Sequence, residues 1–545
     1  MGRRMSHTDG ATSQSGGLAT LQLPELVVGL RSEGGLPKIV LHGVRGERTE
    51  VSGPRLYAAA ECFAEALTQK DAHSAAIEMV PSLSAIAALL GCFLAGVVAV
   101  PIPPPLHGES RVRCHNILRV AQPDVIVFDN GAQPYEGGNA ARFVSFYAAE
   151  GEANCPTIER KSELAAVVQF TSGSTTNPRG CVLTGRAIMS NLSLMQGQFE
   201  LGGDDIAVGW LPLYHDMGLF GLLLLPLAIP GMSTHLYRTQ SFSRNPASWL
   251  TALSLHRATI SPAPASAVHV LSSMLETRRL DGIDLSAMRN LIIGAEPINP
   301  SMVNRFAEAL ARVGLKPEAI KPAYGMAEAT LMVSMRHGIE VVARPASASG
   351  LGGEYTTLGA VSPSEVRIRP TDDVDASEGE VEIRVPSLMT GYLHAPGVIR
   401  TPFSADGWMQ TGDIGFIVDG QLVVTGRASD RINVGGRKIH AIDIERFVTE
   451  FAKPRRVTVV AFAVRMRAWH SDRMVVVIEG RTADTRDGAL VREVAVAVRR
   501  HFDSAPHDVV GVRRGTVLRT SSGKIRRSEL RDRYLSIGLQ RAAER

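Results

Sequence analysis

The chain has 545 residues, 45% of them apolar and 21% charged, the balance of a folded soluble protein too long for a single core, so two or more domains are expected. No run of about 18 uninterrupted apolar residues occurs, so stable membrane insertion is not expected. The net charge of +4 conceals an asymmetry: residues 427–545 hold 26 Lys/Arg against 14 Asp/Glu, and the rest 32 against 40. The basic residues are dispersed with few aromatics between them, so no nucleic acid is expected; nucleotide phosphates or an acidic protein partner suit such a surface. Cys62, Cys92, Cys114, Cys155 and Cys181 are odd in number and lack metal-ligand spacing. They read as reduced thiols of a cytoplasmic protein.

In chain order, the Ser/Gly/Thr-rich residues 1–19 read as a disordered leader. Apolar periodicity predicts a helix over 52–67, a strand over 75–79, a helix over 84–95, a strand over 97–102 running into Pro103-Pro104-Pro105, and a strand over 125–128. Strands at 258–260 and 290–293 and a helix over 300–313 repeat the rhythm, which implies parallel sheets covered on both faces. After Thr330 short alternating strands at 365–368, 380–385 and 421–424 imply an antiparallel or barrel-like unit. Strands at 457–464 and 474–479 and a helix over 487–502 then form a small α+β unit. The expected architecture is α/β: a large N-terminal domain over 20–427 with two doubly wound sheets and a barrel-like β subdomain at about 331–427, and a small mobile α+β C-terminal domain over 428–545.

The segment 167–180 runs from an apolar strand into Thr171-Ser172-Gly173-Ser174-Thr175-Thr176, then Asn177-Pro178, the cation Arg179 and Gly180. Hydroxyls and exposed backbone N–H groups can wrap a polyphosphate, with glycine permitting close approach and arginine supplying charge. Its spacing is not that of G-x-x-x-x-G-K-[ST]. Alone, such a stretch is as readily a plain surface turn. Tyr324 offers a flat face for a base, or is a core aromatic. Glu328, four residues on, can hold Mg²⁺ between phosphate oxygens. Asp413 suits two ribose hydroxyls, or serves a turn. Lys524, in Thr520-Ser521-Ser522-Gly523-Lys524, is a solvated lysine or a point charge for a transition state.

Taken together these segments resemble the acyl-adenylate-forming superfamily. The order is the phosphate segment, Gly294-Ala295-Glu296-Pro297, Tyr324-Gly325-Met326-Ala327-Glu328-Ala329-Thr330, Thr411-Gly412-Asp413, Gly426-Arg427 with Ser429-Asp430, and Ser521-Ser522-Gly523-Lys524-Ile525. The resemblance covers about 21–530. It implies ATP and Mg²⁺ as cofactors, with Thr171, Ser172, Gly173, Ser174, Thr175 and Arg179 around the phosphates. Gly294 to Pro297, Ala323 to Ala327, Asp413 and Arg427 would surround the nucleotide, Thr330 the α-phosphate and Glu328 the metal. Lys524 would be the essential lysine and Ser429 or Asp430 the hinge. Thr176 and Arg179 depart from the Gly and Lys of many relatives, implying a stiffer loop with a forked cation.

Trp210-Leu211-Pro212-Leu213-Tyr214-His215-Asp216-Met217-Gly218 is similar to fatty acyl-AMP ligases in particular. There His215 would orient the acid, or is structural; Met217 and Gly218 would shape the acyl entrance, with Ala263 and Pro264 along the tunnel. The implied activity is formation of a medium- or long-chain acyl-AMP from a fatty acid, followed by transfer to the phosphopantetheine thiol of a holo acyl carrier protein. CoA as the acceptor is the alternative, because residues 330–358 look short for the insertion that blocks CoA transfer in many such ligases. A noncatalytic nucleotide- or acyl-binding protein is the alternative of another class.

Overall fold

The computed structural model describes residues 17–33, 37–105, 108–128, 142–145, 165–171, 178–275, 280–344, 353–371, 378–434, 437–455, 457–465, 472–481, 488–519 and 525–537. Two eight-stranded sheets form the large lobe. In the first, Ile320–Gly325, Asn290–Gly294, Ile260–Pro264, Ile206–Gly209, Ser233–Tyr237 and Pro37–His42 run parallel, with Met332–Met335 and Arg48–Ser52 antiparallel at the two edges. In the second, Ala165–Phe170, Val98–Ile102, Ser74–Glu78, Val125–Phe128 and Arg142–Ser145 are parallel; Gly180–Thr184, Gly391–Ala395 and Val398–Arg400 extend it antiparallel.

Helices between the strands share one core with both sheets. Leu83–Ala95 is apolar around nearly its whole circumference and is buried accordingly. Ser82 caps it, accepting from the Ala85 N–H, and Gly96 closes it in the left-handed conformation. The helix expected over 300–313 forms as Pro300–Ala311, with Asn299 as its cap. The strand expected at 258–260 instead spans Ile260–Pro264. Arg257 at φ 48° turns the chain first, and Pro262 and Pro264 lie within a strand whose ladder they cannot fully donate to.

The β subdomain is a four-stranded antiparallel sheet of Val366–Arg369, Gly379–Ile383, Met409–Val418 and Gln421–Arg427, beside the pair Val341–Ala343 and Glu354–Thr356. Strands Met332–Met335 and Gly391–Ala395, although they fall within 331–427, belong to the large sheets. The small lobe has the strands Thr458–Val464, Arg473–Gly480 and Asp508–Arg513. One face of this sheet packs on helices Ala441–Phe451 and Ala489–Phe502, the other on Arg527–Ile537. Both of its cores contain only residues beyond 430, so the lobe has an interior of its own.

Candidate active site

Strand geometry brings the first constellation together. Asp413 and Arg427 are direct partners across the antiparallel pair Met409–Val418 and Gln421–Arg427. Arg427 Nε approaches Asp413 Oδ1 at 3.0 Å, and the Tyr324 hydroxyl donates to Asp413 Oδ2 at 2.8 Å. Asp413 is only 6% exposed, so its charge is taken up by these two donors. Gly412, at φ 74°, makes the bend that aims Asp413. Burial, reinforced by Asp413, pushes the Tyr324 hydroxyl well above its ordinary pKa, so it stays a donor. Asp413 holds the Arg427 guanidinium above its ordinary value. The strand end at Gly325 tolerates no side chain, since a Cβ there would meet the Leu331 carbonyl oxygen at 1.9 Å.

A second constellation gathers at the end of strand Ala165–Phe170. The Tyr392 hydroxyl donates to Glu328 Oε1 at 2.6 Å, and the Arg179 guanidinium lies 4.8 Å above the Tyr392 ring. Cys181 lies among Glu328, Asp216 and Arg179; burial, then the two carboxylates, pushes its thiol well above the usual range. The Arg113 guanidinium, from helix Gly108–Ala121, reaches the Thr171 carbonyl at 3.5 Å. Glu328 keeps its second oxygen beyond the Tyr392 bond, and one carboxylate oxygen plus substrate phosphates is a usual environment for Mg²⁺. Ser172, Gly173, Ser174 and Thr175 lie outside the described residues. Thr330 is buried at φ 68°, unusual for a β-branched residue, and donates its hydroxyl proton to the Ser387 carbonyl at 2.9 Å.

A cavity of about 700 Å³ joins the first constellation to an apolar wall and to the small lobe. Ala295, Glu296, Pro297, Ala323, Tyr324, Gly325, Asp413, Arg427 and Asp430 line it among the residues expected from sequence. Its apolar side is made by Trp210 stacked on Phe242 at 3.9 Å, with Val270, Ile298 and Met302. Ser266 and Ala267 line it one turn beyond Ala263 and Pro264, and Glu296 Oε2 accepts from the Ser266 N–H at 2.6 Å. Gly294, Met326 and Ala327 stand behind this lining, the last two buried.

His215, Met217 and Gly218 are not on its wall. His215 is buried beside Tyr214, and burial, with Arg113 nearby, holds its imidazole well below the ordinary pKa and therefore neutral at pH 7. Gln169 Nε2 donates to the Tyr214 carbonyl at 2.8 Å, pinning that turn to the phosphate-side strand. A Cβ on Gly218 would meet the Pro212 carbonyl oxygen at 2.1 Å, which requires glycine. The following helix, Met217–Leu224, is wound in the wide π form.

The small lobe closes the cavity with Arg519, Ile525 and Arg527. Arg519 and Ile525 pair across a β-bridge. Lys524, next to Ile525, lies outside the described residues. Arg527 bridges Asp430 at 2.5 Å and both oxygens of Glu445 at 2.7 and 2.9 Å. Ser429, by contrast, is exposed and, among the described residues, its hydroxyl bonds its neighbour Asp430, at 3.4 Å. Tyr392, Arg113, Glu445 and Arg527 were not singled out from sequence. Each meets its partner across a long sequence interval, which no local spacing reveals.

Two large α/β sheets, a small lobe with its own core and a nucleoside-sized cleft between them define an acyl-adenylate-forming ligase. Comparison with known proteins agrees: the family described as AMP-binding enzyme matches residues 34–393, and the chain belongs to that family. It is 32% identical over 486 residues to a putative acyl-CoA synthetase of Caulobacter vibrioides, covering 83% of this chain and 84% of that protein. It is 31% identical over 512 residues to a long-chain-fatty-acid–AMP ligase of Mycobacterium tuberculosis, covering 84% and 86%. Among solved structures, one from a study of fatty acyl-adenylate ligases from E. coli and L. pneumophila aligns with a TM-score of 0.82 at 28% identity, covering 95% of this chain and 98% of that one.

Proposed function

We propose that this ligase activates a medium- or long-chain fatty acid as its acyl-AMP and passes the acyl group to the phosphopantetheine thiol of an acyl carrier protein. The observation that carries this reading is the single cavity in which Tyr324, Asp413 and Arg427 stand opposite an apolar wall containing Trp210 and Phe242. Adenine rests against Tyr324, the ribose hydroxyls meet Asp413, and the alkyl chain lies along the apolar side. Glu328 would hold Mg²⁺, which supplies charge neutralisation to the phosphates when bound. Arg179 and Thr171, with the hydroxyl-rich segment between them, flank the departing pyrophosphate. A carboxylate oxygen of the acid attacks the α-phosphorus, and the bond to pyrophosphate breaks.

Lys524 is assigned to the charge that builds on the phosphate oxygens in this step. Its neighbours Arg519 and Ile525 line the cavity, which supports the assignment. In the second step the thiol attacks the acyl carbon and AMP leaves. Residues 20–427 form the fixed body and 428–545 the mobile domain. Its rotation about Asp430 withdraws Lys524 and admits the thiol. Asp430 is preferred to Ser429 because it alone is tied by Arg527 into the small lobe. The basic excess beyond residue 427 suits an acidic carrier protein.

The relative named as a putative acyl-CoA synthetase supports CoA as a second reading of the acceptor. Mass spectrometry of products formed from mixed fatty acids, with CoA and a holo carrier protein supplied separately, decides between them. Carrier protein acylated on its phosphopantetheine thiol, without acyl-CoA, is the expected product. Acyl-CoA alone would transfer the proposal to the other acceptor.

A further inference from the structure

Away from the cleft, at the edge of the first large sheet, three histidines from three separate segments converge. The sheet places two of them. Val40 pairs with His235, and His42 with Tyr237, across the parallel strands Pro37–His42 and Ser233–Tyr237. The two-residue pleat puts His42, His235 and Tyr237 on one face. The third, His256, follows helix Ala247–Leu255, which returns toward that face. One ligating atom from each histidine lies within 4.8 Å of the other two, and among the described residues no other group of three His, Cys, Asp or Glu side chains is so arranged.

We infer that His42, His235 and His256 form a binding site for a zinc-like divalent transition ion, separate from the Mg²⁺ and nucleotide site. Three imidazoles without a carboxylate suit zinc, copper or nickel and not magnesium or calcium. Two imidazole nitrogens on a tetrahedral ion with bonds of about 2.0–2.1 Å stand about 3.3 Å apart. His42 Nε2 and His235 Nδ1 are 3.1 Å apart already. The third ring, within 4.8 Å of both, is carried by the end of a helix, not by a sheet strand. Without an ion one of the first two nitrogens donates its N–H to the other; when an ion enters, the donor ring carries that proton on its other nitrogen instead and stays neutral.

The rings pack on one another, His42 on Tyr237 with centroids 4.0 Å apart and His235 beside His256 at 3.9 Å, and a polar contact among them suits a ligand role. The Tyr237 oxygen lies 2.8 Å from His256 Nε2, where it can receive that N–H and leave Nδ1 to the ion. An oxygen on the far nitrogen is what orients ligating histidines. The charged group facing them is Arg48, whose guanidinium is paired to Glu50 at 2.5 Å. Three protein ligands on a tetrahedral ion would leave its fourth position to water. An ion here would fasten strand Pro37–His42 to residues nearly two hundred positions later, stabilising the folded state by mass action.

The test uses the full chain, stripped with a chelator and free of nucleotide, titrated with Zn²⁺ in a calorimeter and followed by thermal unfolding. One equivalent bound with a rise in Tm is expected. Tyr237→Phe should weaken binding about tenfold or more. His256→Gln should abolish it while ATP–pyrophosphate exchange and circular dichroism stay unchanged. A visible spectrum of tetrahedral Co²⁺ in the wild type, absent in His256→Gln, reads out the same ligand set without reliance on stability. Failure of Zn²⁺ to bind the wild type, or equal binding by His256→Gln, overturns the site. Neither outcome bears on acid activation.

Discussion

The two walls of the cleft are held by different interactions. On the large lobe, Asp413 and Arg427 face each other by strand register, and Tyr324 stands at the end of a parallel strand one sheet away. These backbones are fixed by ladders and a common core before any ligand arrives. On the small lobe, the cavity-lining segment is held by the Arg519–Ile525 bridge and the packing of Val517 and Leu530, and in addition by side-chain charge. Arg527 joins Asp430, beside the lobe boundary, to Glu445 of helix Ala441–Phe451. Burial pushes the Glu445 carboxyl up and Arg527 pulls it back down. A wall held by sheets can recognise a nucleotide repeatedly in one geometry. Arg527, Asp430 and Glu445 all lie within 428–545, so a turn of that domain would carry this wall as a unit. Polar contacts do join the two lobes: Tyr355 donates to Asp443 at 2.6 Å, Arg446 to the Ile298 carbonyl at 2.8 Å.

Lys524→Ala breaks the comparison most severely. Removing the assigned cation should lower ATP–pyrophosphate exchange by about 10²-fold or more, while thioester formation from synthetic acyl-AMP persists. Retention of both steps would remove Lys524 from the reaction. Asp413→Ala should come next, because it leaves Arg427 and the Tyr324 hydroxyl without their shared acceptor. A loss of about 3 kcal/mol, near 10²-fold, in nucleotide affinity by equilibrium dialysis is expected, with little change in thermal stability. Arg527→Leu should show the opposite pattern. It strands Glu445, which is 9% exposed in its side chain, and should cost the small lobe about 3 kcal/mol in denaturant unfolding. Arg527→Lys should recover part of that loss. Equal stability effects at Asp413 and Arg527 would erase the distinction between the two walls.

Much of the fold was legible in the chain because its signals are local. Apolar periodicity marks the helices at 84–95 and 300–313, which form as Leu83–Ala95 and Pro300–Ala311. The Thr-Gly-Asp bend at 411–413 likewise reads directly. The segments that join a distant sheet carry no such mark. Nothing near 391–395 says that it pairs with 180–184, yet this pairing delivers Tyr392 to Glu328. The triad of Arg527, Glu445 and Asp430 and the histidine cluster are hidden for the same reason, since their members meet only through tertiary packing. His215 drew attention because it sits in a distinctive segment; its neutral ring lies behind the cavity wall, beside the phosphate-side strand.

Smaller effects sharpen the picture. Tyr392→Phe removes one hydrogen bond to a carboxylate and should cost about 1 kcal/mol, read as a higher Mg²⁺ concentration for half-maximal exchange. Acid stability should change gently. His215 has a folded pKa well below 6.5, so below pH 6.5 the unfolded chain binds a proton that the folded chain resists. Stability should therefore be full above pH 6.5 and decline as pH falls toward 5. His215→Gln should flatten that decline in thermal unfolding, and a stability maximum below pH 5 would contradict the assigned burial.

The most direct measurement of the whole account is fatty-acid-dependent exchange of labelled pyrophosphate into ATP by the purified chain. Exchange with medium- or long-chain fatty acids, lost on Asp413→Ala while the protein stays folded, is the predicted result. An absence of exchange across fatty, aryl and amino acids, with nucleotide binding intact, would contradict it.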